Sequence, residues 1–154
     1  MVLADTLALA SRGKPAAILD FATLTGGCVS ALTERYSGAF TNRPDWRAPV
    51  ELAGQDSGER VWCMPMDEDF DHELESKLAD VIQCTVDGNG DHIYAARFLK
   101  RFVGKDIPWL HVDLSAATRK GGLAHIPGDI TGFGVRFLAS LLLDQKLPGL
   151  GGSR

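Results

Sequence analysis

Two patterns of apolar residues alternate along the chain and predict both strands and helices. Residues 15–22 form an almost continuous apolar run between a Gly-Lys pair and a segment rich in Thr and Gly. Such a run is typical of a strand buried on both faces of a parallel sheet. Residues 91–103 instead place Ile93 and Ala96 on one stripe and turn Arg97 away from it, which predicts an amphipathic helix.

The other predicted elements continue this alternation. Further helices are predicted at residues 2–11, 28–35, 48–57 and 132–145, and further extended segments at 37–41, 61–66 and 109–114. Because strands alternate with helices, the sequence predicts an α/β fold, a three-layer sandwich with a mostly parallel central sheet and crossover connections.

The first predicted helix lacks the usual signals of a helix start. A helix needs partners for its first backbone N–H groups, and Ser, Thr, Asp or Asn caps supply them, whereas Met1 and Val2 do not. Apolar residues surround this helix on most sides, which favours a buried element. We therefore expect either a frayed first turn or a natural chain that continues upstream.

Composition and charge narrow the class of partner. The 154 residues are 45% hydrophobic and 23% charged, which is ordinary for one globular domain. A formal net charge of −4 argues against a nucleic-acid partner, because phosphate binding needs a concentrated basic face. No apolar run approaches the roughly 20 residues that span a bilayer, and no signal peptide is recognisable, so we expect no membrane partner. Small molecules or peptides are the expected partners.

The cysteines point to a reducing compartment. Cys28, Cys63 and Cys84 are odd in number, widely spaced and without a CxxC pair, which argues against a disulfide framework or a zinc knuckle and favours the cytoplasm. Cys28 begins a predicted helix, where a thiol can act as a nucleophile with a His base. The candidate bases are His72, His92, His111 and His125. The alternative is a small buried apolar residue.

The strand-to-helix turn at residues 21–28 is a candidate ligand site, because ligands of open α/β sheets bind at the carboxyl ends of strands. Backbone amides and the hydroxyls of Thr23 and Thr25 converge there. The turn lacks both the G-x-G-x-x-G pattern of dinucleotide-binding proteins and the Gly-Lys-Ser/Thr of a P-loop. A ligand contact and an ordinary tight turn both remain open, and a small nucleotide-binding domain is a further hypothesis that rests on this turn alone.

His111 and Asp113 are a candidate pair of metal ligands. They are two residues apart on a predicted strand and so point to one face, where His92 or Asp91 can complete a shared site. A structural hydrogen-bonded pair is the alternative, since two ligands do not close a metal site. The acidic segment at residues 67–75 lacks the order of an EF-hand and is interpreted as a solvated face.

Several motifs together resemble the leucine aminopeptidase family. Val2-Leu3-Ala4-Asp5 is followed by Ala22-Thr23-Leu24-Thr25-Gly26 in the order and spacing of that family. The agreement continues through residues 57–62, 74–80, 95–99 and 109–113. Each motif is modest alone, but their combination is specific, and the resemblance runs from residue 1 to about residue 145.

The resemblance implies a cytoplasmic, hexameric exopeptidase that removes N-terminal residues, often leucine, from peptides with a free N-terminus. Two divalent ions, zinc, manganese or magnesium, activate a bridging water in such an enzyme. The family's metal ligands and its catalytic Lys and Arg precede the region that this chain resembles. Residues 1–146 are therefore expected to be a C-terminal portion of the catalytic domain, incomplete relative to the family, and residues 147–154 a flexible tail.

For the site, the resemblance implies no catalytic and no metal-binding residue within this chain. It carries over as substrate-binding residues Thr23, Leu24, Thr25 and Gly26, with Ile93 and Ala96 as a wall of the side-chain pocket. The Gly-Gly-Ala helix start common in the family is replaced here by Gly90-Asp91-His92-Ile93, which leaves the leucine preference open. We expect the chain alone to bind no metal and to be inactive. A non-catalytic assembly or interaction module derived from the family is the alternative.

Overall fold

The strands of the described residues form one mixed sheet. The computed structural model describes residues 1–85 and 87–150. Its strands are β1 (Ile18–Ala22), β2 (Ser37–Thr41), β3 (Val61–Cys63) and β4 (Trp109–Asp113), in the spatial order β1-β4-β2-β3. β1 is parallel to β4 and β2 is parallel to β3, whereas β2 and β4 are antiparallel. The two parallel pairs therefore present their carboxyl ends at opposite ends of the sheet.

Helices connect and cover these strands. In the described part of the chain they are α1 (Val2–Arg12), α2 (Gly26–Leu32), α3 (Arg47–Ser57), α4 (Asp91–Lys100) and α5 (Val135–Leu143), with 3₁₀ helices at Thr33–Arg35, Pro44–Trp46 and Glu68–Leu74. Each predicted element is present, and only its ends shift. The helix predicted at 28–35 begins two residues earlier and finishes as a 3₁₀ turn, because the local pattern does not show where capping groups end a helix.

One face of the sheet packs against α3 and α5. The buried residues that meet there are Val50 and Ala53 of α3, Phe137 and Leu141 of α5, and Ala39, Leu110 and Val112 of the strands. Alternate residues of a strand point to opposite faces, which explains why Leu110 and Val112 enter this layer while Trp109 does not.

The opposite face packs against α1 and α4. Leu7 of α1, Phe98 and Leu99 of α4, and Ile18 and Trp109 of the sheet form this second buried cluster. Helices thus lie on both sides of the sheet, which confirms the predicted three-layer α/β class. Two of its three strand pairings are parallel, and the third makes the sheet mixed.

Two helix surfaces differ from the predictions. Arg97 of α4 was expected to face away from the core but is only 8% exposed, because its guanidinium forms a bidentate pair with Asp71 at 2.7 Å. The prediction that α1 is buried on most sides is wrong within the described residues, since Val2 and Leu9 are 81% and 66% exposed. The described residues that pack on α1 belong chiefly to β1 and α4, so its outer face is uncovered.

Part of the predicted tail packs against the helical layer. Leu147 is buried, and the Pro148 carbonyl accepts a hydrogen bond from Trp46 Nε1 at 2.9 Å. The rest of the tail, residues 151–154, lies outside the described residues, and a boundary at residue 146 stays a prediction. Every helix in the described ranges is too short or too polar to cross a bilayer.

Candidate functional site

The turn at residues 23–26 lies where β1 and β4 end side by side. The parallel register pairs Ala22 with Asp113, the last residues of the two strands. From Ala22 the chain passes through the turn into α2, with Thr25 as the residue that caps the helix. The turn therefore lies at the carboxyl end of a parallel strand pair, where open α/β sheets bind their ligands.

Asp113 holds this turn through three hydrogen bonds. Its Oδ1 accepts from the backbone N–H of Leu24 at 3.0 Å and of Thr25 at 3.3 Å, and its Oδ2 accepts from the Thr25 hydroxyl at 2.6 Å. Asp113 is 1% exposed, so these donors replace the water that its carboxylate loses on burial. The end of β4 thus sets the conformation of the turn.

Thr25 also connects the turn to α2. Its hydroxyl oxygen accepts from the backbone N–H of Cys28 at 3.2 Å, which is the side-chain cap of this helix. Cys28 then packs on β2 at Gly38, where a Cβ would lie only 2.8 Å from the Cys28 sulfur. Glycine at this position lets α2 approach the sheet closely and places the turn above its edge.

The turn itself is open to solvent. Thr23, Leu24 and Gly26 are exposed, and Thr25 is half-buried. A cavity of about 240 Å³ lies between the turn, the first residues of α1 and one side of α4. Its apolar lining residues include Leu3, Leu24, Ala95, Phe98 and Leu99, and its polar ones are Thr25, Gln83, Cys84 and Asp91.

The two residues predicted to form a pocket wall do not line this cavity. Both residues belong to α4. Ala96 is fully buried and Ile93 is half-buried, and neither lines the cavity. α4 presents Ala95 and Phe98 to the cavity instead. The rotation of the helix about its own axis decides which residues face the cavity and which face the core. The turn and α4 therefore line one cavity, while a substrate-binding role for Ile93 and Ala96 stays a prediction.

His111 is buried in a separate polar network. Its Nδ1 lies 2.6 Å from Asp20 Oδ1, and Asp20 Oδ2 accepts from Trp109 Nε1 at 2.6 Å. The imidazole also stacks on both Phe40 and Trp109, with 5.9 Å between ring centroids in each pair. Asp20 and the aromatic rings therefore hold the His111 ring in place.

The hypothesis of a shared metal at His111 and Asp113 is wrong for the described residues. The two side chains lie on one face of β4, as predicted, but His111 Nδ1 pairs with Asp20, Asp113 accepts from Thr25, and His111 Nε2 has no partner among the described residues. Neither His92 nor Asp91 joins them: residues 1–85 and 87–150 contain no group of three or more His, Cys, Asp or Glu that could hold a metal ion.

Cys28 is a buried packing residue, which was the alternative, and the surroundings of its thiol do not favour a nucleophile. The residue is fully buried, and the polar neighbours of its sulfur are the Asp113 carbonyl at 3.7 Å and the Ser115 hydroxyl at 3.5 Å. Burial raises the pKa of the Cys28 thiol, which disfavours the reactive thiolate. Among the described residues no histidine forms a hydrogen bond to it.

The acidic segment is mostly a solvated 3₁₀ helix, as interpreted from the sequence, with Asp71 as the exception. The Arg97 guanidinium holds the pKa of the Asp71 carboxyl below its usual range, and Arg101 lies 3.8 Å away as a weaker partner. This ion pair ties the 3₁₀ helix to α4.

Two parts of the site were not found from the sequence. Asp113 and Thr25 are 88 residues apart in the chain, so no local pattern predicts the hydrogen bond between them. Gln83 and Cys84 line the cavity from an irregular segment without periodicity. A short acidic residue at the very end of a buried strand, Asp113, was the available signal.

Comparison with known proteins extends the picture over nearly the whole chain. The sequence model of the cytosol aminopeptidase family, catalytic domain, matches residues 1–139. Probable cytosol aminopeptidase 1 of Shewanella oneidensis is 42% identical over 148 residues, which is 95% of this chain and 29% of the relative. The probable cytosol aminopeptidase of Aquifex aeolicus is 42% identical over 138 residues, 88% of this chain and 28% of the relative. The chain thus spans less than a third of the curated relatives that it matches.

Solved structures show the same arrangement of elements. A mutant of tomato leucine aminopeptidase superposes with a TM-score of 0.83 at 37% identity, over 93% of this chain and 27% of that structure. The bottromycin maturation enzyme BotP in complex with Mn superposes with a TM-score of 0.84 at 37% identity, over 92% of this chain and 32% of that structure.

Proposed function

We propose a function from one premise, that the chain belongs to the cytosol aminopeptidase family, whose catalytic domain matches residues 1–139. Our proposal is that residues 1–146 form the substrate-binding part of a two-metal, leucyl-type aminopeptidase. In it the turn at residues 23–26 contacts a peptide with a free N-terminus. The observation that carries the proposal is a solvent-open turn, fixed by Asp113, beside an apolar cavity.

The turn is held in one conformation before a substrate arrives. Asp113 occupies the N–H groups of Leu24 and Thr25, which removes the freedom that a loop would otherwise lose on binding. The exposed Thr23 and Gly26 are then the positions that meet the backbone of an extended peptide. The apolar cavity beside them suits an aliphatic side chain such as leucine.

Two divalent ions, manganese, zinc or magnesium, supply the activated water in the proposed whole enzyme. The described residues of this chain do not fit such a centre, because they contain no cluster of ligands and His111 and Asp113 have structural partners. We propose that the ligands come from sequence outside these 154 residues, and that the chain alone binds no metal and is inactive. Mn in the BotP complex supports metal dependence for the whole enzyme only.

The inactivity of the isolated chain is tested by release of p-nitroaniline from leucine p-nitroanilide with added Mn²⁺. We expect no rate above that of buffer with metal. Sustained, chelator-sensitive release by the purified chain would contradict this part of the proposal.

The substrate-binding role is tested in a chimera. The segment of the Shewanella oneidensis relative that matches this chain is replaced by the chain itself, since 148 residues align at 42% identity. We expect chelator-sensitive aminopeptidase activity, and a loss of kcat/KM of about tenfold or more for Thr25→Ala, because a displaced turn misplaces the substrate. Thr6→Ala, at an exposed site on α1 that does not line the cavity, is the matched control. A folded but inactive chimera, or equal losses in both variants, would refute the role.

The second candidate function, a non-catalytic assembly module, rests on the outer face of α5. Val135, Leu142 and Leu143 are 74%, 54% and 83% exposed, and with Phe21 they line an apolar groove of about 580 Å³. Exposed apolar patches of this kind mark association surfaces. For the whole enzyme we propose a cytoplasmic location and a homo-oligomer, the hexamer that the resemblance implies. Sedimentation of the chain over a concentration series separates the candidates, since a monomer throughout contradicts assembly by this chain alone.

A further inference from the structure

The sheet has a second carboxyl end, opposite to the turn at residues 23–26. β2 and β3 run antiparallel to the other strand pair and end at Thr41 and Cys63. A cavity of about 480 Å³ opens at this end and is lined by both of those residues. Crevices outside the carboxyl ends of parallel strands are the usual ligand sites of α/β sheets. The proposed substrate site uses only one of the two ends.

The lining of this cavity is rich in charge. Its charged residues are Arg47, Asp67, Glu68, Arg97, Lys100 and Lys105. Arg97 is neutralised by its bidentate pair with Asp71. Neither Lys100 nor Lys105 forms an ion pair with any carboxylate of the described residues, and Arg47 donates only to the Cys63 carbonyl. Three cationic groups therefore meet in one cavity without a counter-charge in contact.

Lys100 is the least solvated of these three cations. It is half-buried at the end of α4, whereas Arg47 and Lys105 are exposed. Burial, together with the charge of Arg97, lowers the pKa of the Lys100 ammonium group. A charge that has lost part of its water without gaining a partner is costly, and an anion in the cavity relieves that cost.

We propose that this cavity binds a small anion that carries a carboxylate or phosphate group, with Lys100 as its principal contact and Arg47 and Lys105 beside it. Asp67 and Glu68 line the same cavity without an ion pair to these cations, and the volume of about 480 Å³ restricts the ligand to a small molecule. The site lies at the opposite end of the sheet from the turn, so it is separate from the proposed peptide site.

The methionines of the chain make a direct test possible. Of the three, Met64 and Met66 line this cavity, while Met1 lines the cavity beside the turn. With ¹³C-methyl methionine, NMR spectra are recorded during titrations with inorganic phosphate and, separately, with succinate at constant ionic strength. We expect at least one of the two probes to shift the Met64 and Met66 methyl signals to saturation, with Met1 unchanged.

Variants decide whether the cations carry the binding. Lys100→Gln keeps most of the side-chain length, removes the charge and adds no methionine, and we expect it to weaken binding by about tenfold or more. Lys120→Gln, at an exposed residue that does not line the cavity, is the matched control and should bind as the unaltered chain does. Retained dispersion of the methyl signals shows that the variants fold. The proposal is overturned if neither probe gives saturable shifts, if Met1 shifts in parallel, or if Lys100→Gln binds as tightly as the control.

Discussion

Asp113, the last residue of β4, accepts a 2.6 Å hydrogen bond from the hydroxyl of Thr25, the residue that caps α2. This contact joins β4 to a turn that lies 88 residues earlier in the chain. The same carboxylate also accepts from two backbone N–H groups of the turn. The turn is therefore built by the sheet rather than by its own sequence.

Removal of this carboxylate should destabilise the chain. In Asp113→Ala, three donors lose their acceptor in a site that is 1% exposed, and we expect the free energy of unfolding to fall by about 2–4 kcal/mol. Urea unfolding followed by circular dichroism measures the change. Asp106→Ala, at an exposed aspartate, should alter it by less than about 0.5 kcal/mol. Equal effects of the two substitutions would argue against the clamp.

Removal of the Glu59 side chain should also lower the free energy of unfolding strongly. It is fully buried, and its Oε2 accepts from the backbone N–H groups of Gly134 and Phe137 at the start of α5, at 2.9 and 2.8 Å. Its Oε1 lies 2.7 Å from Arg136 Nη2, a charge contact without aligned hydrogen-bond geometry. We expect Glu59→Ala to cost about 3–5 kcal/mol, because two buried N–H groups lose their acceptor, and Arg136→Met to cost less because the Glu59 carboxylate keeps both N–H donors.

A double-mutant cycle checks the Glu59 prediction. The double variant should be less unstable than the sum of the two single changes, because each single change leaves a charge without its partner. Strict additivity would show that the ion pair contributes little to the start of α5, and a larger effect of Arg136→Met than of Glu59→Ala would contradict the predicted ranking.

The Asp71–Arg97 pair should make stability depend on pH in the acid range. In the folded chain, Arg97 lowers the pKa of the Asp71 carboxyl below its ordinary value of 3.8. Because the folded pKa is depressed, the stabilisation is present above pH 3.8 and is lost as the pH falls through the lower, folded value. Asp71→Asn should therefore cost about 1 kcal/mol at pH 7, since the carboxylate is a third exposed and partly screened, and progressively less as the pH falls below 3.8.

Unfolding in urea at pH 7, 4 and 2.5 measures this difference. Asp69→Asn is the control, because that exposed residue has no ion pair among the described residues. If the gap between Asp71→Asn and the unaltered chain persists at the lowest pH, the pair does not stabilise the fold through its charge.

The thiols should react very unequally. Cys84 is exposed, whereas burial raises the pKa of Cys28 and raises that of Cys63 to about 12. With Ellman's reagent at pH 8, one thiol per native chain should react rapidly, and the other two only after denaturation. Cys84→Ser should remove the rapid phase. A rapid phase that survives in Cys84→Ser would mean that Cys28 or Cys63 is accessible and would reopen the nucleophile hypothesis.

Local pattern was enough to find most secondary structure. The strand predicted at residues 37–41 has those bounds in the structure, and the apolar run at 15–22 contains β1. The helix at 91–103 was recognised from its stripe but ends at Lys100. Its burial was predicted less well, because Arg97 enters the protein only through a partner, Asp71, that lies 26 residues away on another element.

The elements, the α/β class and, through the combination of motifs, the family could be predicted from local patterns in the chain. Apolar periodicity and short motifs are local properties, so they can be recognised without knowing which residues pack together. Three features are visible only in the folded chain. Asp113 holds the turn by hydrogen bonds, His111 pairs with Asp20, and the two parallel strand pairs have their carboxyl ends at opposite ends of the sheet. Strand direction and pairing join segments many residues apart, and no local pattern of side chains encodes them.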